Sequence, residues 1–293
     1  MAEVATSATS QQLLVVVDPV ARRSDGESVR IAKDVLGAGA GMKLCLPDGP
    51  EEFARALTRR GSRRPVVVGD DRALIRAVAL LHRHRELAGC ALSVVPVGAA
   101  LSLARSLGVP TGTVAAARAV LAGVERRMDL MVDDSDGVVL GALRIPPLRP
   151  APAETIPEGA PDEDAVPGHP WLRTCQSLVR TLVPAGRPSR VSAAPEPGPS
   201  RLRVEVDGET LVDLDQPVEA VSVAPGAAGI ASVEVRPVSL GAEASPLLAQ
   251  GRTVTVSGAH FRYRADTVVS GPVRTRTWVV REAAWGLTVP SGR

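Results

Sequence analysis

The run Val66-Val67-Val68 stops at Gly69-Asp70-Asp71, and helical spacing begins at once, with Leu74, Ala77, Val78 and Leu81 on one face. Three consecutive valines favour a strand, because stiff β-branched side chains suit a pleated surface. The i, i+3, i+4, i+7 spacing that follows favours an amphipathic helix. A wholly apolar strand that runs straight into its helix belongs inside a sheet buried on both faces. Residues 13–17, 43–46 and 92–95 repeat the form, each a largely apolar run followed by helix-spaced residues. Strands alternating with helices predict a parallel sheet with helices on both faces. Ligands of such sheets bind at the carboxyl ends of the strands. Those ends read Asp18-Pro19, Leu46-Pro47-Asp48, Gly69-Asp70-Asp71 and Pro96-Val97-Gly98.

The intervening helices are expected over 26–36, 50–60, 74–87, 100–107 and 113–121. Residues 21–26 read as a loop, with Ser24 or Asp25 as an N-cap. From Arg126 the pattern changes. Residues 128–132 and 138–143 read as a hairpin. Short segments at 202–206, 211–214, 218–223, 231–236, 254–256, 261–264, 275–281 and 287–289 predict an antiparallel β-sandwich. Proline-rich excursions run over 146–170 and 184–200, flanking an amphipathic helix that carries Trp171, Cys175 and Leu178. The expected organisation is a disordered stretch at 1–12, an α/β domain at 13–125 and a β-sandwich domain at 126–293.

Composition excludes several classes. Aromatic residues are 2% of the chain and net charge is +2, so neither stacking platforms nor a polyanion-seeking field supports nucleic-acid binding. Three scattered cysteines without a CxxC pair fit a reducing compartment and give no zinc site. Residues 1–12 lack a signal-peptide pattern, and no apolar run approaches the ~20 residues of a membrane span. A cytoplasmic protein, at most peripheral at a membrane, is the expectation. His82 and His84 at i, i+2 do not share a helix face for a metal. His169 falls in an excursion, and His260 starts an alternating strand, Phe261-Arg262-Tyr263-Arg264, with one basic face.

Strand, glycine turn and helix can present backbone amides to a phosphate. Around that turn stand Asp18-Pro19, Val68-Gly69-Asp70-Asp71-Arg72 and Pro96-Val97-Gly98-Ala99-Ala100-Leu101-Ser102. Leu103-Ala104-Arg105-Ser106-Leu107-Gly108-Val109-Pro110 follows, then Met128-Asp129-Leu130 and Leu202-Arg203-Val204-Glu205-Val206-Asp207-Gly208. With these segments in order, the chain resembles the diacylglycerol kinase catalytic-domain family of lipid kinases, within the NAD kinase-like superfamily. The resemblance implies an α/β nucleotide-binding-like domain followed by a β-sandwich, with ATP in the cleft between them. It also implies Mg²⁺ as cofactor and a membrane lipid such as diacylglycerol as phosphate acceptor; self-association as a homodimer is compatible with it. Carried over position by position, it implies Asp18, Gly69, Asp70, Arg72 and Gly98 at the nucleotide, and Asp70 with Asp71 at the metal.

The chain departs from the family pattern at each loop. The family's Gly-Gly-Asp-Gly-Thr becomes Val68-Gly69-Asp70-Asp71-Arg72, which adds negative charge where phosphate is expected. If Asp71 kept a left-handed glycine conformation, the backbone would cost roughly 1–2 kcal/mol. Alternatively, Asp71 caps the following helix and Arg72 lies in solvent. No asparagine occurs anywhere in the chain, so every asparagine of the family's motifs is vacant. The family's late Asp-Gly-Glu, source of a general base, has Arg274-Thr275-Arg276-Thr277-Trp278 in its place. Asp-Gly-Glu occurs at residues 25–27 and 207–209; the later copy makes Asp207 a catalytic candidate, against its reading as a hairpin turn. Two readings follow: an ATP-dependent lipid kinase with weakened or lost catalysis, and a non-catalytic pseudokinase-like binding or regulatory protein. An NAD kinase-like enzyme is disfavoured by the missing asparagine.

Overall fold

The computed structural model describes residues 12–147, 199–238 and 245–291. Residues 1–11, the expected helix around Trp171, His169, Cys175 and most of both excursions lie outside the described residues. Strands β1 (Leu13–Val17), β2 (Met42–Cys45), β3 (Arg64–Gly69) and β4 (Ala91–Pro96) pair in parallel in the order β2-β1-β3-β4. Because side chains alternate across a strand, each apolar run supplies two cores. Leu14, Val16, Val67, Leu92 and Val94 pack on one side, with Phe53, Leu57, Leu74, Val78 and Leu81 from helices α3 (Pro50–Thr58) and α4 (Asp71–Arg83). Leu13, Val15, Val17, Val66, Val68 and Val95 pack on the other, against α2 (Gly26–Gly39) and α6 (Thr113–Ala122).

Helix boundaries follow local chemistry. Residues 21–24, expected as part of a loop, belong to α1 (Pro19–Ser24), because Asp18 caps it and Pro19 supplies a pre-set φ at its first position. Asp25 then caps α2 by accepting from the Ser28 amide at 3.0 Å. The five-residue helix α5 (Ser102–Ser106) has Leu101 at its N-cap and draws no capping bond from it.

The second half is antiparallel and continuous with the first. It comprises β5 (Val124–Asp133), β6 (Val138–Val139), β7 (Leu143–Ile145), β8 (Ser200–Val206), β9 (Glu209–Val212), β10 (Pro217–Pro225), β11 (Ala231–Pro237), β12 (Leu247–Gly251), β13 (Thr253–Ala265) and β14 (Val268–Val289). The pairs expected at 254–256 and 261–264, and at 275–281 and 287–289, merge into the single long strands β13 and β14. A bulge between Arg281 and Trp285, with Ala283 at φ 49°, breaks the alternation in β14 without ending the strand. β12 was not expected from the sequence.

Beyond that bulge β14 crosses into the first half: Gly286 and Leu287 pair in parallel with Ala91 and Leu92 of β4. Trp285, fully buried, joins the core of Leu92 and Leu130, and its indole N–H donates to the Asp129 carbonyl at 3.2 Å. A separate core of Val204, Val221, Val233, Val254, Tyr263 and Trp278 lies within the antiparallel part, where Tyr263 and Trp278 meet edge-on at 5.2 Å. No described helix is long and apolar enough to cross a membrane.

Candidate functional site

The carboxyl ends of β1, β3 and β4 converge through backbone bonds. The Asp18 amide donates to the Val68 carbonyl at 2.8 Å, and the Val97 amide to the Gly69 carbonyl at 3.0 Å. Gly69 is required by this crowding rather than by a left-handed backbone. A Cβ there would stand 2.7 Å from the Ala73 Cβ and 2.9 Å from the Asp18 Cβ. Gly98 is needed for both reasons, since its φ is 124° and an added Cβ would lie 3.2 Å from the Asp70 Cβ. Gly69→Ala is therefore expected to lower stability by roughly 1–3 kcal/mol through overpacking, measured by urea denaturation.

Each aspartate of the cluster is engaged inside the protein. Asp18, 2% exposed, accepts from the Val20 amide at 2.9 Å and from the Arg76 guanidinium at 2.8 Å. Arg76 in turn lies 5.6 Å from the centre of the Phe53 ring, which holds it in place. Asp70 caps α4, one Oδ1 accepting from the Arg72 and Ala73 amides at 3.0 and 3.2 Å. Its φ is −83°, and Asp71 is absent from the non-glycine residues with positive φ. The backbone cost considered for a glycine replacement at this turn therefore does not arise.

Asp71 serves a different helix from the one that it begins. Only 1% exposed, it accepts from the Ala104 amide on Oδ1 at 2.9 Å. Its Oδ2 accepts from the Leu103 amide at 2.9 Å and the Ser102 hydroxyl at 3.3 Å. These are the first residues of α5, which lacks a cap of its own, and the Asp71 amide secures the approach by donating to the Ala100 carbonyl at 2.9 Å. Arg72 is exposed on the first turn of α4.

Asp207 sits elsewhere. With Asp207 at φ 50° and Gly208 at φ 88°, it forms the two-residue β8–β9 turn. Its carboxylate accepts from the Arg252 and Thr253 amides at 2.7–3.0 Å, fastening the β12–β13 connection. Residues 274–278 run through β14 and bring no carboxylate to the cluster.

Sequence reasoning missed Asp266, in the β13–β14 turn at φ 50°. Its carboxylate accepts from the Leu140, Gly141 and Ala142 amides at 2.8, 2.8 and 3.0 Å, and its own amide donates to the Ala142 carbonyl. Burial pushes its pKa above the usual 3.8, outweighing the three amides, and the negative charge of Asp71 adds to the rise. The available signal was an aspartate between two strand-forming runs, Phe261-Arg262-Tyr263-Arg264 and Val268-Val269, where aspartate tolerates a left-handed turn.

The edge thus gathers Asp18, Asp70 and Asp71 around Gly69 and Gly98, with Asp266 of the antiparallel part electrostatically coupled to Asp71. Among the described residues no group of three or more His, Cys, Asp or Glu side chains is placed to hold a metal ion. Both Asp71 oxygens already accept hydrogen bonds, and Asp70 holds the start of α4. These residues do not fit the metal pair that the resemblance implies.

This arrangement defines an α/β protein with a loop cluster at the carboxyl edge of a parallel sheet and an antiparallel β module joined to it. Residues 12–132 match the family model for the diacylglycerol kinase catalytic domain. Two solved structures from Bacillus anthracis str. Sterne, each assigned as a diacylglycerol kinase, share the fold. One is similar with a TM-score of 0.66 at 12% identity, the other with 0.61 at 11% identity. Each comparison covers 95% of this chain and 97% of the other. No curated protein sequence matches the chain.

Proposed function

We infer that this is a diacylglycerol kinase-fold protein in which an internal carboxylate has replaced phosphate binding. Lipid phosphorylation is then weak or lost, and the chain acts as a binding or regulatory protein. The observation that supports this reading is Asp71 accepting hydrogen bonds from Leu103, Ala104 and Ser102. Backbone amides at the start of α5 could serve an incoming anion only if that carboxylate moved. A phosphate approaching within ~4 Å of Asp71 would meet a repulsion of about 4 kcal/mol at the dielectric of a protein surface. Asp18 and Asp70 add to it, and the Arg76 charge is already paired with Asp18.

The antiparallel half is read as the sandwich partner of the family's two-domain arrangement, so the ancestral cleft is shared between the halves. Exposed Arg72 supports the second reading, a kinase that still draws MgATP weakly and phosphorylates a diacylglycerol-like lipid. Calorimetry with millimolar MgATP decides between them. The expected result is no saturable heat, no thermal shift, and no transfer of γ-phosphate to diacylglycerol in mixed vesicles. Saturable binding accompanied by phosphate transfer would overturn the pseudokinase reading in favour of a working lipid kinase.

A further inference from the structure

The parallel sheet has a second end, and the sequence makes it basic. The turn before β3 reads Arg59-Arg60-Gly61-Ser62-Arg63-Arg64. It borders a cavity of about 520 Å³ at the amino ends of β3 and β4, whose lining includes Arg60, Ser62, Arg63, Arg64, Cys90 and Glu125. This volume lies in the ordinary range for small-molecule sites. From Arg64 to Gly69 β3 advances five residues, so roughly 17 Å of strand separates this cavity from the aspartate cluster.

The charges around the cavity are unevenly matched. Arg60, with 12% of its side chain exposed, pairs with Glu86. Glu125 is drawn to Arg127 at 3.4 Å. Among the described residues neither Arg63 nor Arg64 has a carboxylate within ion-pairing distance. Arg64 donates through Nη2 to the Val120 carbonyl near the end of α6, while its Nε is buried without a hydrogen-bond partner. A buried guanidinium donor left unpaired is unfavourable unless some acceptor completes it. Burial also holds the Arg64 pKa below the ordinary guanidinium value.

A surface arginine in an arginine-rich chain would keep its head in water, where no counter-ion is needed. Arg64 does not: its Nε is buried without a partner, and Arg60, Arg63 and Ser62 line the same cavity. The missing component is an acceptor carrying more than one negative charge, because a single carboxylate would answer only one of Arg63 and Arg64. Arginine's planar fork suits phosphate oxygens in particular. We propose that this amino-edge cavity is a binding site for a small phosphorylated polyanion, held by Arg63 and Arg64 with Ser62 at its mouth. It is separate from the aspartate cluster, and a ligand there would act on the fold from the far end of β3.

Pyrophosphate is the probe, titrated calorimetrically into the full chain at 150 mM salt, with citrate as a second arm. Saturable pyrophosphate binding is expected. Arg63→Gln should weaken it at least tenfold, and Arg63→Gln combined with Arg64→Gln should abolish it. Arg72→Ala, at the opposite edge, should leave it unchanged. Arg63→Gln keeps the test decisive if the double variant fails to fold, since Arg63 makes no hydrogen bond through its side chain among the described residues. Citrate binding as tightly as pyrophosphate would overturn the phosphate assignment. No saturable heat at millimolar pyrophosphate, or equal affinity in wild type and Arg63→Gln, would overturn the site itself. Sensitivity to Arg72→Ala in place of Arg63→Gln would move the binding to the carboxyl edge and overturn it as well.

Discussion

Asp71→Ala is expected to lower the free energy of unfolding by roughly 2–5 kcal/mol, since each buried donor left unsatisfied costs about 1–3 kcal/mol. The Leu103 and Ala104 amides lose their acceptor together, and α5 begins with no other cap. Asp71→Asn should rescue only part of the loss, because its amide keeps one acceptor oxygen and points donors at donors. Urea denaturation with and without Mg²⁺ checks the assignment. A structural carboxylate predicts that millimolar Mg²⁺ leaves wild-type stability unchanged while the alanine variant is destabilised in either condition. If Asp71 were instead half of a metal pair, Mg²⁺ would stabilise wild type, and alanine would cost little in its absence.

What the sequence made legible was whatever depends on neighbours along the chain. The valine runs, their terminal glycine and the helical spacing after them placed β1, β3, β4 and α4 within a few residues, because burial and periodicity act locally. Asp71 shows where local reading ends. Residue order suggested that it caps the helix beginning beside it, yet Asp70 does so. Asp71 reaches residues 31 to 33 positions away. Asp266 was invisible for the same reason, its three amide partners lying 124 to 126 positions earlier. The unbroken β14 was concealed differently. Glu282-Ala283-Ala284 interrupts the alternation as a turn would, and only its pairing with β5 on either side reveals a bulge. Family motifs located the cluster, but the work done by its carboxylates depends on contacts that no motif encodes.

Those long-range contacts give Asp266→Ala the second large effect, a loss of roughly 2–4 kcal/mol as the amides of residues 140–142 lose their acceptor and water reaches only part of them. Asp266 also stands at φ 50°, where alanine is strained and glycine is not. Asp266→Gly should therefore be less destabilised than Asp266→Ala by up to about 1–2 kcal/mol. The pH dependence has an unusual sign for a hydrogen-bonded carboxylate. Its folded pKa is raised, so the folded state holds the proton more tightly than the unfolded state, whose pKa is near 3.8. As pH rises from about 3.8 through the folded value, the unfolded chain ionises first and wild type loses stability at this group. Asp266→Ala lacks that loss, so the gap between the two proteins should narrow between pH 4 and pH 7. Denaturant melts of both proteins across that range measure it. A gap that widens with pH would mean that the three amides outweigh burial and the charge of Asp71, reversing the balance of forces assigned to this turn.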